Sequence, residues 1–170
     1  RSRYLGACLL GVLTILSSLA CRGRGSAYAQ EHRDSTLTSS EGTDDTLHLV
    51  FAGDIMTHGP QIRAALRGDG QYDFRPSFSL VKPLIAKADL AVGNLETTFG
   101  GKPYSGYPMF SSPEAFGEAL RDAGFDVLTT ANNHSCDRGR YGVVHTIDVL
   151  DSLGIATTGS YRTREERTSR

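Results

Sequence analysis

The sequence predicts an α/β domain, and two observations carry that prediction. From Leu47 onward, short apolar runs alternate with stretches of helical periodicity, the pattern of βα units. Three of the apolar runs also end in polar clusters, Gly53-Asp54, Gly93-Asn94-Leu95-Glu96 and Asn132-Asn133-His134. In an open α/β sheet the carboxyl ends of the strands are where ligands bind.

The elements follow in order. Leu49-Val50-Phe51-Ala52 is apolar on both faces, which suits a buried central strand. Ile62, Ala65 and Leu66 share one helical face. Val81, Leu84, Ile85 and Ala88 recur at i, i+3, i+4 and i+7 and predict a second helix, entered or kinked at Pro83. Leu90-Ala91-Val92 is the next strand. Gly100 to Ser111, rich in glycine and proline, reads as a loop with a short extended piece at Met109-Phe110. Ser112 can cap the next helix, with Pro113 at its first position, Phe116, Leu120 and Ala123 as its buried stripe and Gly124 as its end. Phe125 to Ala131 forms the third strand. Val143, Ile147 and Leu150 mark a last helix stopped by Gly154, and Ile155-Ala156-Thr157 is a fourth short strand.

Upstream of this domain the sequence changes character. Arg1 and Arg3 precede an apolar run from Tyr4 to Ala20, the order of a secretory signal peptide. The run is shorter than the ~20 residues of a bilayer-spanning helix and is diluted by Gly6, Gly11, Thr14, Ser17 and Ser18. Ser18-Leu19-Ala20-Cys21 resembles a bacterial lipoprotein box, which would make Cys21 the lipidated mature N-terminus. Ala27-Tyr28-Ala29 offers an ordinary signal-peptidase site instead. Either route sends the protein out of the cytoplasm, to be secreted, periplasmic or held at the cell envelope, with a lipid anchor as its sole membrane attachment. The expected organisation is a signal peptide over 1–29, a polar disordered linker over 30–46 that includes His32, and a folded domain over 47–170. A chain that starts without methionine and has no apolar run after Gly159 reads as a fragment.

A formal net charge of −1 on 170 residues carries no polycation signature, so nucleic acid is not an expected partner. Beyond Cys8 and Cys21, the folded part holds Cys136 alone, which excludes an internal disulfide there; Cys136 reads as a small filler. The three strand-end clusters offer carboxylate, amide oxygen and imidazole, donors that suit a divalent Mn, Fe or Zn, or Mg with more oxygen ligands. Asp54, Asn94 and Glu96 could each serve equally as turn or cap residues. His134 is harder to explain as a turn residue, because an imidazole followed by Asp137 directly after a buried strand has little structural use. His58 lies four residues past Asp54 and could approach the same site. His48 and His145 read as structural.

Gly-Asp-Ile-Met at 53–56, Gly-Asn-Leu-Glu at 93–96 and Ala-Asn-Asn-His-Ser-Cys-Asp-Arg-Gly at 131–139 together resemble the CapA family of capsule-synthesis and poly-γ-glutamate biosynthesis proteins. The likeness runs from about Leu47 to Tyr161, and the third motif is the most specific. That family is similar to the calcineurin-like metallophosphoesterases. The resemblance therefore implies the N-terminal half of a metallophosphoesterase-like α/β/β/α sandwich with two metals. It would make Asp54 a first-metal ligand, place Asn94 or Glu96 at the bridging position, assign Asn133 to the second metal, and let His134 act on the leaving group or substrate oxygen. Two metals about 3.5–4 Å apart can clamp a phosphate-like oxygen and activate water. This chain departs from the phosphoesterase pattern at Met56, where a histidine is usual, and at Asn94, which replaces a bridging aspartate. The implied partners are an anionic polymer or phosphoester substrate and other capsule-assembly proteins. The readings that follow are a metal-dependent hydrolase or transferase-like protein, a non-catalytic polymer-binding or assembly protein of the same fold, and an unrelated small-molecule binding domain.

Overall fold

The computed structural model describes residues 46–169, so the leader, with Cys21, and residues 30–45 of the linker lie outside the described residues. These residues form a mixed α/β fold around a four-stranded, all-parallel sheet in the order β1-β2-β3-β4. The strands are β1 (Leu49–Ile55), β2 (Leu90–Leu95), β3 (Val127–Thr129) and β4 (Ala156–Thr158). Helices α1 (Gly59–Ala65), α2 (Arg75–Phe78) and α3 (Lys82–Ile85) connect β1 to β2, while α4 (Ala115–Ala123) connects β2 to β3. Helix α5 (Gly139–Ser152) connects β3 to β4, and α6 (Arg164–Ser169) follows β4.

Sequential parallel strands joined by crossovers of one hand place every connecting helix on the same side of the sheet. The core obeys that rule. Ala91, Leu95 and Leu128 from the strands form one buried cluster with Ile62 and Ala65 of α1, Phe116, Leu120 and Ala123 of α4, and Val149 and Leu150 of α5. Val50, Ala52 and Ile55 of β1 pack against it. The alternate residues point to the other face, where the register aligns Phe51, Val92, Val127 and Ala156 across all four strands. Among the described residues nothing covers this row, and Phe51 is 72% exposed. Parallel sheets normally bury both faces, and an open apolar face invites association. Replacing Phe51 with glutamate is therefore expected to reduce self-association in sedimentation velocity, while changing stability by no more than about 0.5 kcal/mol because little burial is lost.

Several local expectations change against this frame. β1 is an edge strand rather than a central one, because consecutive strands add outward in chain order. Leu66 leaves the face of α1 as its extended C-cap residue. The periodic stretch from Val81 to Ala88 forms only the four-residue α3, with Pro83 in its first turn; Ile85 is buried while Leu84 is 68% exposed. α4 begins at Ala115 rather than at Pro113, and Ser112 is not its cap. The Ser112 hydroxyl instead joins Thr57 Oγ1 at 2.6 Å and Thr97 Oγ1 at 2.8 Å in a buried chain of hydroxyls. α4 ends as expected at Gly124, whose φ of 104° favours glycine. The third strand is shorter than Phe125–Ala131.

α6 was not expected. Thr163 Oγ1 accepts from Glu166 N at 3.1 Å, and Arg162 ties the segment to α5 by pairing with Asp148, Asp151 and Glu166. The Thr-x-x-Glu spacing is a helix-start signal.

Candidate metal-binding site at the strand ends

The first motif reaches the site through an irregularity in β1. The register runs Ala52↔Gly93 and then Asp54↔Asn94, so Gly53 is an extra residue. A bulge of this kind inverts the facing of everything after it. Regular pairing would set Asp54 opposite Leu95, whose side chain lies in the core; the bulge sets it beside Asn94 instead. Glycine suits this position, since strand bulges form most easily there.

Asn94 is the hub of the cluster. Its Nδ2 donates to Asp54 Oδ1 at 2.8 Å and, more distantly, to Glu96 Oε2 at 3.5 Å. Its Oδ1 accepts from Thr129 Oγ1 and from Asn132 Nδ2, each at 3.1 Å. The contacts on both sides agree on the amide orientation, with the NH₂ toward the carboxylates and the oxygen toward the donors. Asn132 also donates to the carbonyl of Leu95 at 2.8 Å and accepts from His134 N at 3.1 Å, which fixes the start of the third motif against the end of β2.

His134 is held from both sides. Its Nδ1 lies 2.8 Å from Asp137 Oδ2, and since a carboxylate accepts, Nδ1 carries a proton and the ring is oriented with Nε2 on the side away from Asp137. Nε2 is 4.0 Å from Glu96 Oε1. The same Asp137 oxygen accepts from Phe110 N at 2.6 Å. Asp137→Asn is expected to let the ring sample both tautomers while the fold persists. Two-dimensional ¹⁵N NMR of the imidazole, which distinguishes protonated from free nitrogens, checks this.

Glu96 is buried, and its carboxyl is raised above the ordinary range. Burial is the largest cause, followed by its hydrogen bond to Asp54 and by the Asp54 charge; His134 and the Asn133 side chain act in the opposite direction. Two acidic side chains therefore share one small region, a costly arrangement that a proton or a cation relieves.

The structure thus brings together Asp54, Asn94, Glu96, Asn133 and His134, with Asp137 behind His134. His58 stands apart as the exposed N-cap residue of α1, its backbone N donating to Gln61 Oε1 at 2.6 Å. Its ring packs on Phe110, which lies edge-on between His58 at 5.1 Å and His134 at 4.6 Å between centroids. Phe110 and Thr129 are the contributors that sequence reasoning missed, while Asn132 was read only as a member of the third cluster, without the role of tying it to β2. Cys136 is exposed, so it fills no space in the core. His145 pairs with Glu114 at 2.8 Å, and His48 donates from its backbone to Asp89, both away from the strand-end cluster. Among the described residues, no three carboxylate, imidazole or thiolate groups stand close enough to hold one ion as they are placed. The donor types suit a divalent cation, but a full ligand set needs amide oxygens or side-chain movement.

Comparison with known proteins places the chain. An uncharacterized protein, y4uA, of Sinorhizobium fredii is 33% identical over 153 residues, which cover 85% of this chain and 31% of that protein. A second protein of the same organism, y4sH, is 32% identical over the same shares of both chains. Capsule biosynthesis protein CapA of Bacillus anthracis is 27% identical over 166 residues, covering 93% of this chain and 37% of its own. The chain spans about a third of the length of the curated relatives it matches. The family model for the bacterial capsule synthesis protein PGA_cap matches residues 48–170, and the chain belongs to that family.

Proposed function

We propose that this chain contributes part of a divalent-metal site, used in hydrolysis or transfer on a capsule polymer or a phosphoester at the cell envelope. One observation carries the reading: the Asp54 and Glu96 carboxyl groups are held together at the end of the sheet, with His134 Nε2 4.0 Å from Glu96 Oε1. Asp54 and Glu96 would bind the cation, with Mn, Fe, Zn and Mg all compatible with the donors. Asn133 and, after rotation of its amide, Asn94 would complete the oxygen ligands. The metal would supply Lewis acidity and an activated water. His134, oriented by Asp137, would exchange a proton with the substrate or leaving-group oxygen.

The cluster lies where the open face of the sheet meets its carboxyl edge, and the relatives are about three times as long as the stretch they share with this chain. A layer packed on that face in a longer protein would also reach the site, so full activity belongs to such a protein. Titration with Mn²⁺ by isothermal calorimetry tests the proposal. Wild-type chain should bind, and Asp54→Ala should weaken binding about 100-fold or more. Equal affinity in the two would defeat it.

A second reading, a polymer-binding or assembly protein without turnover, is favoured by Asn94. Its amide NH₂ already satisfies Asp54 without any cation, at 2.8 Å. Polymer binding that persists at full strength in chelator supports this reading over the first. Export through the leader, with or without lipidation of Cys21, and contacts with other capsule-assembly proteins belong to either reading. Among the described residues no helix is long and apolar enough to cross a membrane.

A further inference from the structure

Asn94 and Asn132 meet through their side-chain amides, and the two amides are not held in the same way. Asn132 is fixed by backbone: its Nδ2 donates to the carbonyl of Leu95 at 2.8 Å, and its Oδ1 accepts from His134 N at 3.1 Å. A carbonyl oxygen only accepts and a backbone N–H only donates, so one orientation of this amide keeps both contacts. The Asn132 NH₂ therefore faces Asn94, whose Oδ1 lies 3.1 Å away.

That orientation dictates the next. With its oxygen toward Asn132, Asn94 sets its NH₂ on the carboxylates, 2.8 Å from Asp54 Oδ1 and 3.5 Å from Glu96 Oε2. Turning the Asn94 amide over would offer this side an oxygen, the donor that a divalent cation takes. It would also set NH₂ against NH₂ on the side of Asn132 and leave donors there without an acceptor. Thr129 imposes no such choice. Its hydroxyl donates to Asn94 Oδ1 at 3.1 Å, and a hydroxyl can accept as well as donate.

Resting on the metal-site reading proposed above, we infer that Asn132 is a positioning residue that holds the Asn94 NH₂ against Asp54 and thereby lowers the affinity of the site for a cation. The sign of this effect is diagnostic. Removing a polar side chain that only braced the site would weaken metal binding, whereas removing Asn132 frees the Asn94 amide to turn and should tighten it.

The test is a double-mutant cycle on Mn²⁺ affinity, measured by isothermal calorimetry on wild-type chain, Asn132→Ala, Asn94→Ala and the double variant. Asn132→Ala also removes the contacts with Leu95 and His134, but loosening from that cause acts in both backgrounds and cancels in the cycle. The substitution should favour Mn²⁺ binding about tenfold more in the presence of Asn94 than in its absence. Thr129→Val should change the affinity by less than about twofold. Where the alanine variant does not fold, Asn132→Ser, which keeps a hydroxyl for His134 N, takes its place in the cycle.

Equal effects in the two backgrounds would overturn the inference. So would a gain in Thr129→Val as large as that in the Asn132 variant, which would mean that any donor lost from Asn94 Oδ1 suffices. A wild-type chain that binds no Mn²⁺ sinks the metal-site reading alone. The role of Asn132 is then read from the Asn94 side-chain amide by ¹⁵N NMR: signals that shift toward an average of two orientations in the Asn132 variant support it, and signals that do not move contradict it.

Discussion

Glu96→Gln should stabilise the metal-free chain and, at the same time, cost it about 100-fold or more in Mn²⁺ affinity. The opposite signs follow from one geometry. Glu96 is buried against Asp54, and its carboxyl is raised from its ordinary value of 4.5. The folded state thus holds the Glu96 proton more tightly than the unfolded chain does. That contribution is complete below pH 4.5 and is lost as pH rises through the folded pKa, so at neutral pH the ionised pair opposes folding. A glutamine removes the charge and still fills the space. The expected gain is about 1 kcal/mol at neutral pH, seen as a rise of about 3–5 °C in melting temperature. The gain should vanish in acid, where the wild-type carboxyl is protonated. A neutral-pH loss of stability in the variant would show that the carboxylate serves the fold rather than a ligand.

The largest effect on stability is expected at Phe110. Its side chain is 1% exposed and lies edge-on between two imidazoles. Phe110→Ala removes an aromatic ring from a packed position and should cost about 3–5 kcal/mol, a large part of the stability of a small domain. It should also loosen His134, because the loop backbone that donates to Asp137 would lose its anchor. Phe110→Leu keeps much of the apolar volume and should recover more than half of the stability in chemical denaturation. If the alanine variant unfolds at the wild-type denaturant concentration, the Phe110 ring does not anchor the loop.

The fold class was legible because the βα alternation depends on local periodicity, and the ends of α4 and α5 at Gly124 and Gly154 depend on local backbone conformation. Residues at those two positions have φ of 104° and 67°. What was not legible depends on neighbours distant in sequence. Leu49 and Phe51 read as core because apolar runs suit strands buried on both faces, but they lie on the face that nothing among the described residues covers, and no local signal says which face is covered. Val81 and Leu84 carry helical spacing, yet the chain turns after Ile85 to enter β2, leaving room for little more than one turn.

The candidate site was legible for a similar reason. Its residues sit at the ends of three recognisable strands, and the structure brings Asp54, Asn94, Glu96, Asn133 and His134 together. The bulge at Gly53 could not be read in advance, because register belongs to a pair of strands, and it is the bulge that aims Asp54 at Asn94. Phe110 was hidden in a stretch whose glycines and prolines signal a loop without saying what the loop packs on. His58, four residues past Asp54 in sequence, stands at the N-cap of α1, across the Phe110 ring from His134.

The most direct measurement is anomalous X-ray diffraction at the manganese edge from crystals grown with Mn²⁺. The expected result is an anomalous peak bordered by Asp54, Glu96 and His134, with the Asn94 amide rotated so that its oxygen faces the ion. Crystals that take up no manganese there, with Asn94 still donating to Asp54, would contradict a metal site at these strand ends.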